Sequence, residues 1–281
     1  MHHDMSFRAR PCTVLVTLLL LAFPGALVAQ PVVGVMGITD EIVPIEQRLQ
    51  NGRDVTVRGL VFRTGTLNGR QVVVGRSPAG KVNAAIVATV LIGHFNPTEL
   101  FFSGTAGAVD PTLRPGDIVI GARVAQHDVG LQMPDAIKRR GLRNAVTGVL
   151  DGVLVPAPDA LLAARRSTSG LALEPMRTSD GERVPRIVEG VIVTGDVFLA
   201  DPARRDELRV SLGATAIEME GAAMVQACRQ FGVSCLVVRS ITDRADGQAL
   251  SNYREYILRA SENAAAIVAA IITRPASDKV R

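Results

Sequence analysis

The chain has 281 residues, of which 47% are hydrophobic and 21% charged, with a formal net charge of +4. Such a composition belongs to a soluble globular protein of one or two domains, long enough to bury its own core. The small charge, 4% aromatics and absence of Trp argue against a dedicated nucleic-acid binder, and three Cys are too few for a disulfide framework.

Arg8 and Arg10 precede an apolar run from Cys12 to Phe23, followed by Pro24-Gly25 and then Ala26 to Ala29. This is the layout of a secretory signal peptide over residues 1–29, with cleavage expected near Ala29–Gln30. The run is broken by Pro24 and Gly25 and is short for a membrane span, so a secreted or periplasmic protein without stable membrane association is expected. Cys228 and Cys235 lie in apolar surroundings and are expected as buried free thiols rather than a bridge.

Residues 30–273 read as one α/β domain, with a frayed tail over 274–281. Val32 to Met36 is a buried strand, and Asp40 to Leu49 a helix with Pro44 in its first turn. Val55 to Thr64 and Gln71 to Gly75 are β-rich, with a hairpin signal at Asn68-Gly69. Val82 to Ile92 is a helix. Leu100 to Ser103 is a strand leading into a loop of small residues, Gly104 to Gly107, and Asp117 to Ala125 is a further strand. Weak periodicity over 130–186 predicts loops and one short helix near Asp159 to Arg166. Val188 to Thr194 is a strand, and Asp201-Pro202 caps and opens a helix. Glu220 to Phe231 is a helix stopped at Gly232, Cys235 to Ile241 a buried strand, and Asn252 to Thr273 the terminal helix. This alternation predicts a sheet covered by helices, with ligands at the carboxyl ends of its strands.

Those ends are chemically distinctive. They fall at Gly37 to Glu41, Gly104 to Gly107, Glu218 to Glu220 and Thr242-Asp243. Small residues leave backbone N–H groups open to a polar ligand. Carboxylates around one cleft suit acid–base work on a glycosidic bond or the binding of a sugar diol. The same carboxylates could equally serve as caps or solvated surface groups. No Cys/His cluster has metal-ligand spacing.

The stretches GVMGITDEIVPI (from Gly34), GKVNAA (from Gly80), SGTAGAVDPTLRPGDIVI (from Ser103), VTGDVFL (from Val193), IEMEGAAM (from Ile217) and VVRSITDRAD (from Val237) carry a resemblance. In this order they resemble the nucleoside phosphorylase/nucleosidase superfamily, and within it the 5′-methylthioadenosine/S-adenosylhomocysteine nucleosidases. The resemblance implies a mixed central sheet, partly barrel-like and flanked by helices, in a homodimer. It implies hydrolysis of the N-glycosidic bond of a purine nucleoside without a cofactor, and a part in methionine salvage.

The site residues follow from the same resemblance. Asp243, beside Thr242, protonates the leaving purine at N7. Glu220 grips the ribose hydroxyls and Met219 packs on the sugar. Glu41 is the base, with Arg239 and Thr105 positioning the attacking water. Phe198 stacks on the purine and the Leu199 backbone reads its edge. Ala106, Gly107 and Glu218 complete the binding set, and Tyr253 either closes over the 5′ group or anchors the terminal helix. The loop from Gly37 to Glu41 is one residue shorter than the family pattern, so Asp40 competes with Glu41 for the base. Residues 128–187 match the family poorly, which leaves the 5′ substituent open. His127-Asp128 is either a site edge or a structural hydrogen bond, and His94 is expected at the surface.

Phosphorylases in this superfamily commonly carry an Arg where this chain has Phe102, so water is the expected nucleophile. Arg76 is the residue that could restore a phosphate site. A phosphate-dependent phosphorylase and a non-catalytic nucleoside-binding or storage protein stay open as alternatives.

Overall fold

The computed structural model describes residues 31–134, 136–168, 170–178 and 181–273. The expected signal peptide and the tail lie outside these residues. In chain order the elements are β1 (Val33–Ile38), α1 (Val43–Gln47), β2 (Gln50–Val57), β3 (Leu60–Leu67), β4 (Arg70–Ser77), α2 (Lys81–Phe95), β5 (Glu99–Ala108) and β6 (Ile118–Gln126). There follow β7 (Gly130–Gln132), β8 (Ile137–Arg139), β9 (Val155–Pro156), α3 (Asp159–Ala163), β10 (Met176–Thr178), β11 (Gly181–Arg183) and β12 (Ile187–Thr194). The chain continues with α4 (Pro202–Leu212), β13 (Ala214–Glu218), α5 (Gly221–Phe231), β14 (Ser234–Asp243) and α6 (Ala249–Ile272).

The main sheet runs β13-β12-β6-β14-β5-β1-β4-β3-β2, with β9 on β6. β13 also pairs with β5, which closes β5, β14, β6, β12 and β13 into a mixed barrel. β1, β4, β5 and β14 are mutually parallel, so their carboxyl ends open on one side. β13 runs antiparallel to β5, with Ile217 opposite Gly107, and so delivers Glu218 beside the same stretch of β5.

Alternation along the strands divides the core. Val33, Val35, Val72 and Val74 face Ile267 and Ile271 of α6. Met36 and Val73 face Leu91 of α2 and Met224 of α5. Both faces of the open sheet are therefore covered, as its continuous apolar strands require.

Three expectations are corrected, and one β-rich segment divides into two strands. Gly104 to Gly107 is not a loop but the second half of β5, held in the ladder by β14 and β13. The β-rich segment from Val55 to Thr64 turns at Arg58-Gly59, both at positive φ, and so contributes to both β2 and β3. An Arg in a left-handed position is not a turn signal, whereas Asn68-Gly69 makes the expected hairpin. Residues 130–186 hold two short hairpins, β7–β8 and β10–β11, besides the expected helix. Finally, Cys228 and Cys235 are not free thiols but a disulfide, with Cα atoms 6.3 Å apart. Gly232, at positive φ, ends α5 and reverses the chain into β14, which brings the two sulfurs together.

Candidate active site

The strand ends converge on a cavity of about 190 Å³, lined among others by Glu41, Thr105, Phe198, Met219, Glu220, Asp243 and Tyr253. Ala106, Gly107, Leu199, Glu218 and Thr242 also line it. Of the catalytic and substrate-binding residues implied by the resemblance, Arg239 alone does not line it and is buried behind the wall. The lining residues given no role by the sequence are apolar: Ile38 at the end of β1, Ala79 and Val197 in loops, Leu250 in the first turn of α6, and Ile217 of β13. Their composition carried no signal that separates them from core.

Glu41 follows β1 and is buried, whereas Asp40 is exposed. The two Glu41 oxygens accept from Thr105: Oε2 from the backbone N–H at 2.8 Å and Oε1 from the hydroxyl at 2.6 Å. The Tyr253 hydroxyl lies 3.4 Å from Oε1. Its ring meets Phe198 edge to face at 5.8 Å, so Tyr253 belongs to the site as well as to α6.

Glu220 precedes α5 and is buried. Its Oε1 accepts the Gly80 N–H at 2.9 Å. Burial, then the neighbouring Glu218, push its pKa up to about 7, with Glu41 adding to the rise; Arg239 and the Gly80 N–H oppose it. Glu218 is held from several sides. The Arg239 guanidinium donates to it through Nε at 3.1 Å and through Nη2, the Thr194 hydroxyl donates to its other oxygen, and the Gly221 N–H donates at 2.7 Å. Thr194, which also accepts from the Ala222 N–H, was not legible as a site residue.

Arg239 is fully buried, with its guanidinium carbon 4.3 Å from the centre of the Phe102 ring. Its Nη2 lies 3.7 Å from Glu220. Nη1 has no partner among the described residues. A Cβ on Gly104 would collide with both Nη1 and Glu41 Oε2. The bare α-carbon is therefore what lets a buried cation and the Glu41 carboxylate approach one point from two sides.

Asp243 ends β14. Its Oδ2 accepts from Thr242 at 2.8 Å and its Oδ1 from the Ala245 N–H at 2.9 Å. Burial outweighs these donors and raises its pKa, favouring the protonated acid.

Arg76 is not free to hold an anion. It donates through Nε and Nη2 to Glu46, in a two-point ion pair outside the cavity. His127 is buried without a side-chain partner among the described residues and does not line the cavity, while Asp128 pairs with Lys81. His94 is exposed, as expected.

Residues 31–273 match the family model of the phosphorylase superfamily. A 5′-methylthioadenosine/S-adenosylhomocysteine nucleosidase of Psychromonas ingrahamii is 34% identical over 242 residues, covering 85% of this chain and 97% of that protein. One of Shewanella halifaxensis is 32% identical over 242 residues, covering 85% and 98%. Among solved structures, the Helicobacter pylori nucleosidase complexed with a substituted pyrrolidin-3-ol superposes with a TM-score of 0.73 at 27% identity, covering 86% of this chain and 97% of that one. The Colwellia psychrerythraea nucleosidase in complex with adenine gives 0.72 at 28% identity, covering 86% and 95%. The chain belongs to the phosphorylase superfamily, alongside the 5′-methylthioadenosine/S-adenosylhomocysteine nucleosidases.

Proposed function

We infer that the protein is an N-ribosyl hydrolase that cleaves the N-glycosidic bond of purine nucleosides and releases the free base. The observation that carries this reading is one cavity walled by Asp243, Glu220 and Glu41, with no Lys or Arg among its lining residues. Cleavage passes through a cationic sugar, which carboxylates stabilise and which repels nothing in this wall. Asp243, biased towards its protonated form, donates to N7 of the departing purine while Phe198 stacks on the base. Glu220 accepts hydrogen bonds from the ribose hydroxyls, and Met219 packs against the ring. Glu41, oriented by Thr105, takes the proton of a water that the spare Nη1 of Arg239 helps to hold. The burial of Glu41 and the exposure of Asp40 favour Glu41 as the base.

Water rather than phosphate is the nucleophile. Phe102 stands where a phosphorylase commonly carries Arg, and Arg76 is tied to Glu46. The test is purine release in phosphate-free buffer: the rate should not rise when phosphate is added, and the sugar product should be free rather than a 1-phosphate. A sugar 1-phosphate as the main product would replace this reading with phosphorolysis.

Substrates of the 5′-methylthioadenosine and S-adenosylhomocysteine type are proposed from the relatives' names; the homodimer and the link to methionine salvage are proposed from the family resemblance in the sequence. Export behind the signal sequence is proposed as well. The Cys228–Cys235 disulfide supports it, because such bonds persist in oxidising compartments.

A further inference from the structure

Three charged side chains meet at the cavity mouth without lining it. Lys81 opens α2, Asp128 follows β6 and Asp196 follows β12. Lys81 Nζ lies 2.7 Å from Asp128 Oδ1 and 3.9 Å from Asp196 Oδ2. The Lys81 backbone N–H donates to Asp196 Oδ1 at 2.7 Å, and the Asp196 N–H to Asp128 Oδ2 at 3.3 Å. Helix α2 has no side-chain cap of its own from Gly80, so Asp196, distant in sequence, performs that task. The Lys81 side chain is only 16% exposed, which shields the network more than an ordinary surface pair. Burial acts to raise the Asp128 pKa, but the Lys81 ammonium outweighs it and holds the carboxyl below its usual range.

Two members of this network, Lys81 and Asp196, adjoin segments of the cavity wall. Ala79 lines the cavity one residue before Gly80, whose N–H reaches Glu220. Val197, Phe198 and Leu199 line it directly after Asp196. Gly80 itself has φ +102°, open to glycine and costly for a residue with a side chain. Pro78 and the Asn83 amide, which donates to the Ala79 carbonyl at 2.8 Å, hold the turn from its own segment, and Asp196 holds it from across the site through the Lys81 N–H.

We propose that Lys81 is a positioning residue for the sugar grip: with Asp128 and Asp196 it fastens the Ala79–Gly80 turn so that the Gly80 N–H is aimed at Glu220. The proposal rests on Glu220 as the group that binds the ribose hydroxyls. Lys81 touches no substrate and acts only through the orientation of Glu220.

The experiment compares adenosine with 2′-deoxyadenosine as substrates for wild type, Lys81→Met, Asp128→Asn, Glu220→Gln and the Lys81→Met/Glu220→Gln double variant. Thermal melting of each checks folding. Lys81→Met should lower kcat/KM on adenosine by roughly tenfold, the worth of one hydrogen bond to a charged group. The loss should appear mainly in KM, should be smaller on 2′-deoxyadenosine, and should be reproduced by Asp128→Asn. In the Glu220→Gln background the Lys81 substitution should cost almost nothing further. Equal losses on both substrates, additivity with Glu220→Gln, or no loss in either latch variant would overturn the proposal while leaving Glu220 in place. Loss of folding by both latch variants would also overturn it, in favour of a structural network. A Glu220→Gln variant that loses equally on both substrates would instead remove the sugar grip itself, and the proposal with it.

Discussion

Glu220 should make activity and stability respond to pH in opposite directions. Its pKa in the folded protein is about 7, against 4.5 for an ordinary Glu. Between those values the native state binds more protons than the unfolded chain, so stability falls as pH rises. Holding Glu220 ionised in the folded state above neutrality therefore costs roughly 3 kcal/mol, since each tenfold change in proton affinity is worth about 1.4 kcal/mol. The sugar grip needs the ionised form, because only it accepts from both hydroxyls. At about pH 6 about one-tenth of the protein is in that form, and at about pH 8 about nine-tenths, so kcat/KM on a riboside should fall close to tenfold on acidification. Melting temperature should rise over the same interval. Glu220→Gln removes the buried charge and keeps the shape. It should melt higher than wild type at about pH 8, lose riboside turnover, and flatten both profiles near neutrality. A Gln variant less stable than wild type at that pH, with the neutral limb of its stability profile intact, would refute the assignment of the raised pKa to Glu220.

Asp243→Asn should fold normally, since the amide oxygen still accepts the Ala245 N–H and the amide NH2 donates to a Thr242 hydroxyl that turns towards the Ala106 carbonyl, yet lose about 10²–10⁴-fold in purine release because it cannot protonate N7. A variant within a few-fold of wild type in a steady-state assay would take Asp243 out of the mechanism. Glu41→Gln should bind substrate and turn over slowly, while Asp40→Asn, altering an exposed group, should be mild; an inactive Asp40→Asn beside an active Glu41→Gln would move the base by one residue. Reduction of Cys228–Cys235, or its replacement by two Ser, should destabilise by about 2 kcal/mol for so short a loop and lower Tm by about 4–8 °C. An unchanged calorimetric transition under reductant known to open the bond would show that the bridge does not stabilise the native state.

The polar residues that line the cavity were legible because each stands in a run with a strong local pattern. Glu218 to Glu220 and Thr242-Asp243 end apolar strands, and the structure brings both runs to one cavity with Glu41. Asp201 caps α4 as its sequence predicts, accepting from the Ala203 N–H at 2.9 Å. What stayed hidden depends on partners remote in sequence. Gly104 to Gly107 read as a loop because glycines weaken a strand, yet barrel closure supplies ladders on both sides of β5. The disulfide arises from the reversal at Gly232, not from anything in the flanking composition. Lys81, Asp128 and Asp196 come from three separate connections, so nothing in any one of them announces the cluster.

The stack of Arg239 on Phe102 bears on how reaction class can change in this lineage. An Arg introduced at position 102 would not simply install a phosphate ligand. It would withdraw the platform beneath Arg239 and place a second guanidinium in the same buried slot, where Glu218 already neutralises the first. Conversion to phosphorolysis from this starting point is thus epistatic: the obvious substitution is harmful until Arg239 or Glu218 has moved as well. Paired replacements would be needed to convert this site, and single-site libraries at position 102 should return hydrolases or inactive proteins.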